Sequence, residues 1–428
     1  MRILVVGSGG REHALVARLA AEPDTPEIIC APGNPGIGKI ARLISAPAAA
    51  PEELVALAAS EHVDLTVVGP ELPLSLGVAD RFAQAGRLLF GPSRAAAALE
   101  SSKAFAKGFM ARHGIPTARF QTCETPDEAY DVVRSSEFGF PVVLKADGLA
   151  AGKGVVVAND VGSAEAAIVA AMLERRFGAA GDRLVIEECL SGPELSFFVI
   201  ADGHRAILFG SAQDHKRAYD DDCGPNTGGM GAFAPSPLAH TIHARIMSEI
   251  IEPLIAGMAE EGHPFRGFLY AGLMVTADGP KVIEFNVRLG DPEAQVIMPL
   301  VEEPLVPVLI ASATGNLKPS SLRLTSDRTV GVVLASRGYP ESSESGQRIN
   351  GIEEAERVPG VTVYQAGTSR RDSQLMTAGG RVLTVVGRAG DFREAVERAY
   401  AGVSLISFDG MHYRRDIGRK VLEQQLSR

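Results

Sequence analysis

Apolar positions along the chain fall into short β-branched runs separated by stretches with helical spacing. Ile3-Leu-Val-Val6 reads as a buried strand, and Gly7-Ser-Gly-Gly-Arg-Glu-His13 leads from it into a helix marked by Leu15, Val16 and Leu19. Glu27-Ile-Ile-Cys30 is a second strand, residues 51–60 a helix, Asp64 to Glu71 a strand closed by Gly69-Pro70, and 75–86 another helix. Leu88-Leu-Phe90 and Gly91-Pro92 end this part. Strands alternating with helices predict a parallel sheet, whose ligands bind beyond the carboxyl ends of the strands. A first α/β domain is expected over residues 1–102.

The pattern then changes. A helix carrying Lys103, Phe105, Ala106, Phe109 and Met110 ends near Gly114-Ile-Pro116. Pro141-Val-Val-Leu-Lys145 and Val155-Val-Val157 read as paired strands around a glycine-studded loop. Leu184 to Leu190 is a strand that breaks at Ser191-Gly-Pro193 and resumes over Glu194 to Ile200. Gln213 to Gly231 reads as a long polar loop, 243–258 as a helix, and Phe268 to Val275 and Lys281 to Val287 as strands. After a helix over 301–312 and a polar stretch at 315–328 come three strands: Val330 to Leu334, Val361 to Tyr364 and Gly380 to Val386. A helix through Phe392, Val396 and Tyr400 follows. The expected layout is a second domain over 103–316, with a smaller subdomain over 120–190, and an α+β domain over 328–424.

Composition narrows the class. A chain of 428 residues is too long for one compact core, and 46% hydrophobic with 22% charged residues is ordinary for a globular protein. A formal net charge of −10 argues against a nucleic-acid-binding surface. Cys30, Cys123, Cys189 and Cys223 show no paired spacing, so neither a zinc site nor a disulfide framework follows, and a reducing compartment is expected. Met1 runs straight into a strand and no apolar run is long enough to span a bilayer. The expectation is a cytoplasmic protein acting on small molecules, without nucleic-acid or membrane partners.

Candidate chemistry concentrates on Lys281-Val-Ile-Glu-Phe-Asn-Val-Arg-Leu-Gly-Asp-Pro-Glu293. Strand alternation puts Glu284, Asn286 and Arg288 on one face and Phe285 and Val287 on the other. Hard oxygen ligands two residues apart suit Mg²⁺, which takes one or two protein groups and fills its shell with water and phosphate oxygens. The same row also suits the polar edge of an ordinary sheet. The Gly148 to Gly154 loop, with Lys153 inside it, could fold over a polyphosphate or be a plain hairpin tip. It lacks the Gly-Lys-Ser/Thr of a P-loop. Main-chain groups freed at the 191–193 break could serve an adenine edge, and Glu194 ribose hydroxyls. The Gly7 to His13 turn fails as a dinucleotide fingerprint, because Glu12 stands where a small residue closes the turn and no acid ends the second strand. His13 and His215 receive neither a metal nor a general-base role.

Taken in order, Lys103, Lys145 on a strand, the glycine loop, the broken strand and the Glu-x-Asn-x-Arg strand resemble the ATP-grasp superfamily, in which two α+β subdomains hold ATP between them. Within it the chain is similar to the phosphoribosylamine–glycine ligase (glycinamide ribonucleotide synthetase) family. The similarity is carried by Gly9-Gly-Arg-Glu-His-Ala14, Val68-Gly-Pro-Glu71, Ser102-Lys-Ala-Phe105, Lys145 to Gly154, Gln213-Asp-His-Lys-Arg217, Gly224 to Gly231, Glu284-Phe-Asn286 and Arg415-Asp-Ile-Gly418. Spread along the chain in this order, they carry the resemblance from residue 1 to about 420. The family pattern is departed from at Pro193, Cys223, Val287 and Leu289, none of them an implied ligand.

The resemblance implies a multidomain fold: an N-terminal α/β domain, a two-subdomain ATP-grasp unit and a small C-terminal α+β domain. Lys103 and Lys145 are implied to hold ATP phosphates under a loop containing Gly152, Lys153 and Gly154. Glu187, Glu188 and Leu190 would read adenine, Glu194 the ribose, and Glu284 with Asn286 would bind Mg²⁺ or Mn²⁺. Gly9, Gly10, Glu71, Asp214, Lys216, Thr227, Gly228, Gly229 and Asp291 are implied substrate contacts, Asp214 being a candidate for the glycine ammonium. The phosphoribosyl end is expected near Gly9, Gly10, Glu71 and the 224–231 loop. Arg288, with Lys145 and Lys153, forms the implied catalytic group and is a candidate for the glycine carboxylate or the developing oxyanion. The implied reaction joins glycine to 5-phosphoribosylamine through glycyl phosphate in de novo purine synthesis, by a monomer. The rivals are another ligase or carboxylase of the superfamily, which the Gln213 to Gly231 loop opposes, an NAD-dependent oxidoreductase, which Glu12 opposes, and a nucleotide-binding protein without chemistry.

Overall fold

The computed structural model describes the chain except residues 25, 150–153, 319–321 and 427–428. The N-terminal unit comprises β1 (Arg2–Gly7), α1 (Gly10–Ala20), β2 (Glu27–Pro32), β3 (Arg42–Leu43), α2 (Pro51–Ser60), β4 (Leu65–Val68), α3 (Glu71–Ser75), α4 (Val78–Gln84) and β5 (Leu89–Phe90). Its strands form a parallel sheet ordered β3-β2-β1-β4-β5. The order reverses between β1 and β4, so the turns after these strands, at Gly7 and Gly69-Pro70, share one crevice. The helix expected over 75–86 is instead two helices. Gly77, at φ +83, separates them.

Two helices, α5 (Ala98–Ser101) and α6 (Lys103–Arg112), lead to a small antiparallel sheet. It contains β6 (Phe120–Cys123), α7 (Pro126–Ser135), β7 (Val142–Ala146), β8 (Val155–Ala158), α8 (Val161–Ile168) and β9 (Leu184–Glu188), in strand order β6-β9-β7-β8. Leu144, Ile186, Val133 and Ile168 give it a hydrophobic cluster of its own. The larger unit follows with β10 (Glu194–Asp202), β11 (Ala206–Asp214), β12 (Arg217–Tyr219), β13 (Cys223–Asn226), β14 (Gly231–Ala234), α9 (Pro237–Ile246), α10 (Glu252–Glu260), β15 (Arg266–Thr276), β16 (Gly279–Asn286), α11 (Glu293–Ile297) and α12 (Leu305–Ala313). The C-terminal unit holds β17 (Arg328–Ala335), α13 (Ile352–Ala355), β18 (Val361–Gln365), β19 (Thr368–Arg371), β20 (Gln374–Thr377), β21 (Arg381–Ala389), α14 (Phe392–Leu405) and α15 (Arg419–Leu426).

The mixed α/β and α+β layout forms as expected, with four differences that matter for the cleft. First, the strand interrupted at 191–193 serves two sheets: β9 belongs to the small one and β10 to the large one. At the crossing Gly192 has φ +150, and a Cβ there would meet Val275 O at 2.2 Å, so only glycine fits. Second, the stretch expected as a loop, Gln213 to Gly231, contains the hairpin β12-β13. Chain from the far C-terminus braces it. Arg414 donates to Arg217 O (3.1 Å) and Asp222 (2.9 Å), and His412 Nε2 lies 2.8 Å from Ala218 O. Third, β14 pairs with β17, so the C-terminal strands continue the large sheet in the order β16-β15-β10-β11-β14-β17-β21-β18. Fourth, the helical stretches expected over 243–258 and 301–312 begin at Pro237 and Leu305. Among the described residues no helix is long and apolar enough to cross a membrane.

Candidate active site

A cleft of about 660 Å³ opens where the four parts meet. β16 supplies its floor. Glu284, Asn286 and Arg288 face it, while Phe285 and Val287 are 2% exposed and packed in the core, as the alternation predicts. The register with β15 slips between Gly272↔Glu284 and Leu273↔Val282, which leaves Ile283 unpaired in the ladder. Lys145 Nζ, from β7, donates to the freed Ile283 O (3.0 Å).

Opposite the floor stand three lysines. Ser102 caps α6 by accepting from Phe105 N, which places Lys103 in its first turn and Lys107 one turn on, along the same face. Lys103 Nζ donates to Gly148 O (2.8 Å), and Asp147 accepts from Ser102 Oγ (3.0 Å) and Ala104 N (3.1 Å), so the stem of the glycine loop rests on the start of α6. Glu187 of β9 is buried between Lys107 and Lys145, in ion contact with both. Burial pushes the Lys107 ammonium down to about 8, with Glu187 pulling the other way. Burial also lowers Lys103, against the charge of Glu284. The Glu187 carboxylate, expected at adenine, is therefore committed to two lysines. Glu188 pairs with Arg119 (2.8 Å), and it and Leu190 are not among the residues lining the cleft.

Burial raises the Glu284 carboxyl, but Lys216, Lys145, Lys103 and Arg288 more than offset it, so its pKa lies below the ordinary range and the group is ionised. An ionised carboxylate beside the Asn286 amide oxygen is a hard donor set that fits Mg²⁺ or Mn²⁺. Among the described residues no group of three or more His, Cys, Asp or Glu could hold a metal, so these two would rely on water and phosphate oxygens for the remaining shell. Arg288 is firmly held. Its guanidinium donates to Glu71 (3.1 Å), Glu100 (2.8 Å) and Leu289 O (3.1 Å), and Glu100 also accepts from Val287 N (2.7 Å). Burial works against the Arg288 charge, and Glu100 and Glu71 outweigh it.

At the other end of the cleft lie Asp214, Lys216, Thr227, Gly228 and Asp291. Burial pushes the Asp214 carboxyl up to about 7, while Lys216 beside it pulls it back. Lys216 Nζ donates to Glu194 (2.6 Å), so Glu194 sits one side chain behind the cleft wall. Gly154 lines the cleft; Gly152 and Lys153 fall outside the described residues. Gly9, Gly10 and Gly229 stand back from it. The Gly9 amide, near which the phosphoribosyl end is expected, is taken by Glu12 Oε2 (2.6 Å), and a Cβ on Gly7 or Gly69 would run into the same side chain. Glu12 thus fills the crevice that a dinucleotide phosphate would need. His13 is buried and accepts from Gln365 N (2.7 Å), and burial drives its pKa to about 4, so it joins domains as a neutral ring.

Sequence reasoning missed Arg11, Glu100, Lys107, Tyr270, Glu293, Tyr339 and Arg381, all of which line the cleft. Lys107 carried a signal, being four residues after Lys103 in one helix. Glu293 lay within the floor segment and is buried, accepting from Ser196 Oγ (3.2 Å). Glu100, Tyr339 and Arg381 reach the cleft through contacts across the chain and carried none.

Family models match three successive stretches: the N domain of phosphoribosylglycinamide synthetase over residues 1–100, its ATP-grasp (A) domain over 101–294 and its C domain over 329–420. The chain is 49% identical over 426 residues to a phosphoribosylamine–glycine ligase of Ralstonia nicotianae, covering 99% of this chain and 100% of that one. A Brucella melitensis protein of the same name is 47% identical, covering 99% of each. The crystal structure of phosphoribosylamine–glycine ligase from Thermotoga maritima superposes with a TM-score of 0.84 at 33% identity, over 97% of this chain and 100% of that chain. The biotin carboxylase domain of Hydrogenobacter thermophilus 2-oxoglutarate carboxylase, solved with MgADP and bicarbonate, shares the fold at TM-score 0.74 and 19% identity, over 96% and 91% of the two chains. With its floor, lysine wall and all three family domains in place along one chain, this protein belongs to the phosphoribosylglycinamide synthetase family of ATP-grasp ligases.

Proposed function

We propose that this chain ligates glycine to 5-phosphoribosylamine, consuming ATP and giving glycinamide ribonucleotide, ADP and phosphate, as a step of purine biosynthesis. The observation that carries the reading is one cleft in which Lys103 and Lys145 face the Glu284-Asn286-Arg288 row, with Asp214, Lys216 and the 227–228 turn beside it. A carboxylate is a poor electrophile, so glycine must be activated before an amine can attack it. Transfer of the γ-phosphoryl group to a glycine carboxylate oxygen gives glycyl phosphate and ADP. The amine of phosphoribosylamine then attacks the acyl carbon and expels phosphate.

The residues that line the cleft divide the work of that reaction. Lys103 and Lys145 offer ammonium groups to the nucleotide phosphates. Arg288, held by Glu71 and Glu100, presents a fixed positive charge to the glycine carboxylate and to charge developing on the acyl oxygen. Asp214 receives the glycine ammonium, whose charge favours the ionised form of a carboxyl otherwise near 7. Glu71, Lys216, Thr227, Gly228 and Asp291 bound the phosphoribosyl end, with Gly9, Gly10 and Gly229 shaping the backbone behind them. Mg²⁺ or Mn²⁺, held by Glu284 and Asn286, would supply charge neutralisation at the phosphates. Lys153 and Gly152, which lie outside the described residues, would carry the implied role of covering them, and exclusion of water matters because glycyl phosphate and phosphoribosylamine are both water-labile. The protein is taken to act as a cytoplasmic monomer, with residues 1–102, 103–316 and 328–424 as its domains.

The test is direct. ADP and ribonucleotide product are measured with ATP, Mg²⁺, glycine and phosphoribosylamine, then with each omitted. Product that forms without glycine, or none with all four present, sinks the reading.

A further inference from the structure

The 227–229 turn reaches the cleft from the large sheet, yet its tip is gripped by the C-terminal unit. Gly228 N donates to Tyr339 Oη (3.0 Å), and Gly228 O accepts from Arg381 Nη1 (2.7 Å). The same Nη1 donates to Asp291 O (2.5 Å), and Nη2 lies 3.4 Å from the Asp291 carboxylate. Gln295 Nε2 holds the other carboxylate oxygen of Asp291 (2.7 Å). One guanidinium therefore sets the spacing between a turn that follows β13 and a turn that follows β16. All four residues, Gly228, Asp291, Tyr339 and Arg381, line the cleft.

We propose that Arg381 and Tyr339 are positioning residues for the ligase reaction, fixing the Gly228 turn against Asp291 at the spacing that aligns the amine substrate with the activated carboxyl. The inference rests on the function proposed above. A purely architectural seam would be served as well by apolar contact, since a part-buried guanidinium must be desolvated to sit there. What apolar contact could not do is hold both main-chain polar atoms of one cleft-facing glycine. Nucleotide binding should be spared, because the lysines at that end are anchored to Gly148 O, Thr117 Oγ1 and Ile283 O instead. Misplacement by about 1 Å at a reacting centre costs on the order of a hundredfold in rate, so a loosened turn should be visible kinetically.

The test compares Tyr339→Phe, Arg381→Lys and Arg381→Met with the wild-type full chain, measuring KM for each substrate, kcat and thermal midpoint. Tyr339→Phe removes one hydroxyl and should raise KM for phosphoribosylamine about threefold to tenfold, the worth of one hydrogen bond, with KM for ATP within about twofold. Arg381→Met should lose about 10–100-fold in kcat/KM for that substrate, and Arg381→Lys should recover part of the loss. If Tyr339→Phe leaves KM for phosphoribosylamine unchanged, or if the KM values for ATP and the amine rise by the same factor, the proposal is overturned. Wild-type protein that makes no ribonucleotide product overturns the parent function and this inference with it, whereas active wild type with unaltered variants overturns the clamp alone.

Discussion

Replacing Lys145 by alanine separates the chemistry of the cleft from its architecture. The Lys145 side chain is 8% exposed and paired with Glu187, and breaking a buried ion pair usually costs about 3–5 kcal/mol because the partner charge is stranded. Glu187 is not stranded here, since its other oxygen remains in contact with Lys107. The structural loss is the charged hydrogen bond to Ile283 O, the contact with one Glu187 oxygen and some packing of the stem, about 2–3 kcal/mol in all. Removing a charge aimed at the transition state of phosphoryl transfer costs about 2.7–4 kcal/mol, or two to three orders of magnitude in kcat. Activity should therefore collapse while the fold survives. ADP release at saturating substrates and thermal unfolding, measured on the same preparation, check both halves. Turnover near wild type would refute the phosphate-binding role, and an unfolded variant would refute the sharing of Glu187 between two lysines.

Glu284→Gln keeps the size of the side chain but removes the anionic donor, and should raise the Mg²⁺ concentration for half-maximal activity at least about tenfold; an unchanged titration would move the metal elsewhere. Lys107→Met tests the buried ammonium. Its folded pKa of about 8 lies below the ordinary 10.5, so between these values the unfolded chain holds the proton more tightly and stability from this residue rises with pH. Wild type should gain about 1 kcal/mol on the variant between pH 7 and 9 in urea unfolding, and a difference that stays flat or falls rejects the shifted pKa.

What could be read from the sequence was whatever depends on local period and spacing. The row on β16 was legible because strand side chains alternate, and Phe285 and Val287 fell into the core for the same reason. The break at 191–193 was legible as a break, but its meaning as a passage between two sheets depends on partners outside the segment. The hairpin β12-β13 was hidden behind its glycine and acid content. What orders it is Arg414 and His412, which stand nearly two hundred residues later in the chain. Glu100 was illegible for a similar reason, because its partners Val287 N and Arg288 come from the far side of the cleft. Glu12 was legible as a departure from a dinucleotide fingerprint, and its carboxylate occupies the amide that the fingerprint would leave for a phosphate.

Long-range pairing also explains why the resemblance needs the whole chain. A charge in a cleft of low dielectric is costly to leave unpaired before the ligand arrives. Lys107 on α6 pairs with Glu187 of the small sheet, Arg288 after β16 with Glu71 of the N-terminal unit, and Arg381 of the C-terminal unit with Asp291. In each case the partner comes from a different unit. These three cleft-lining pairs are therefore also seams between units. An isolated 101–294 segment would retain Glu284, Asn286 and the lysines but lose Glu71, Glu100, Tyr339 and Arg381, leaving Arg288 and Asp291 without their fixed partners.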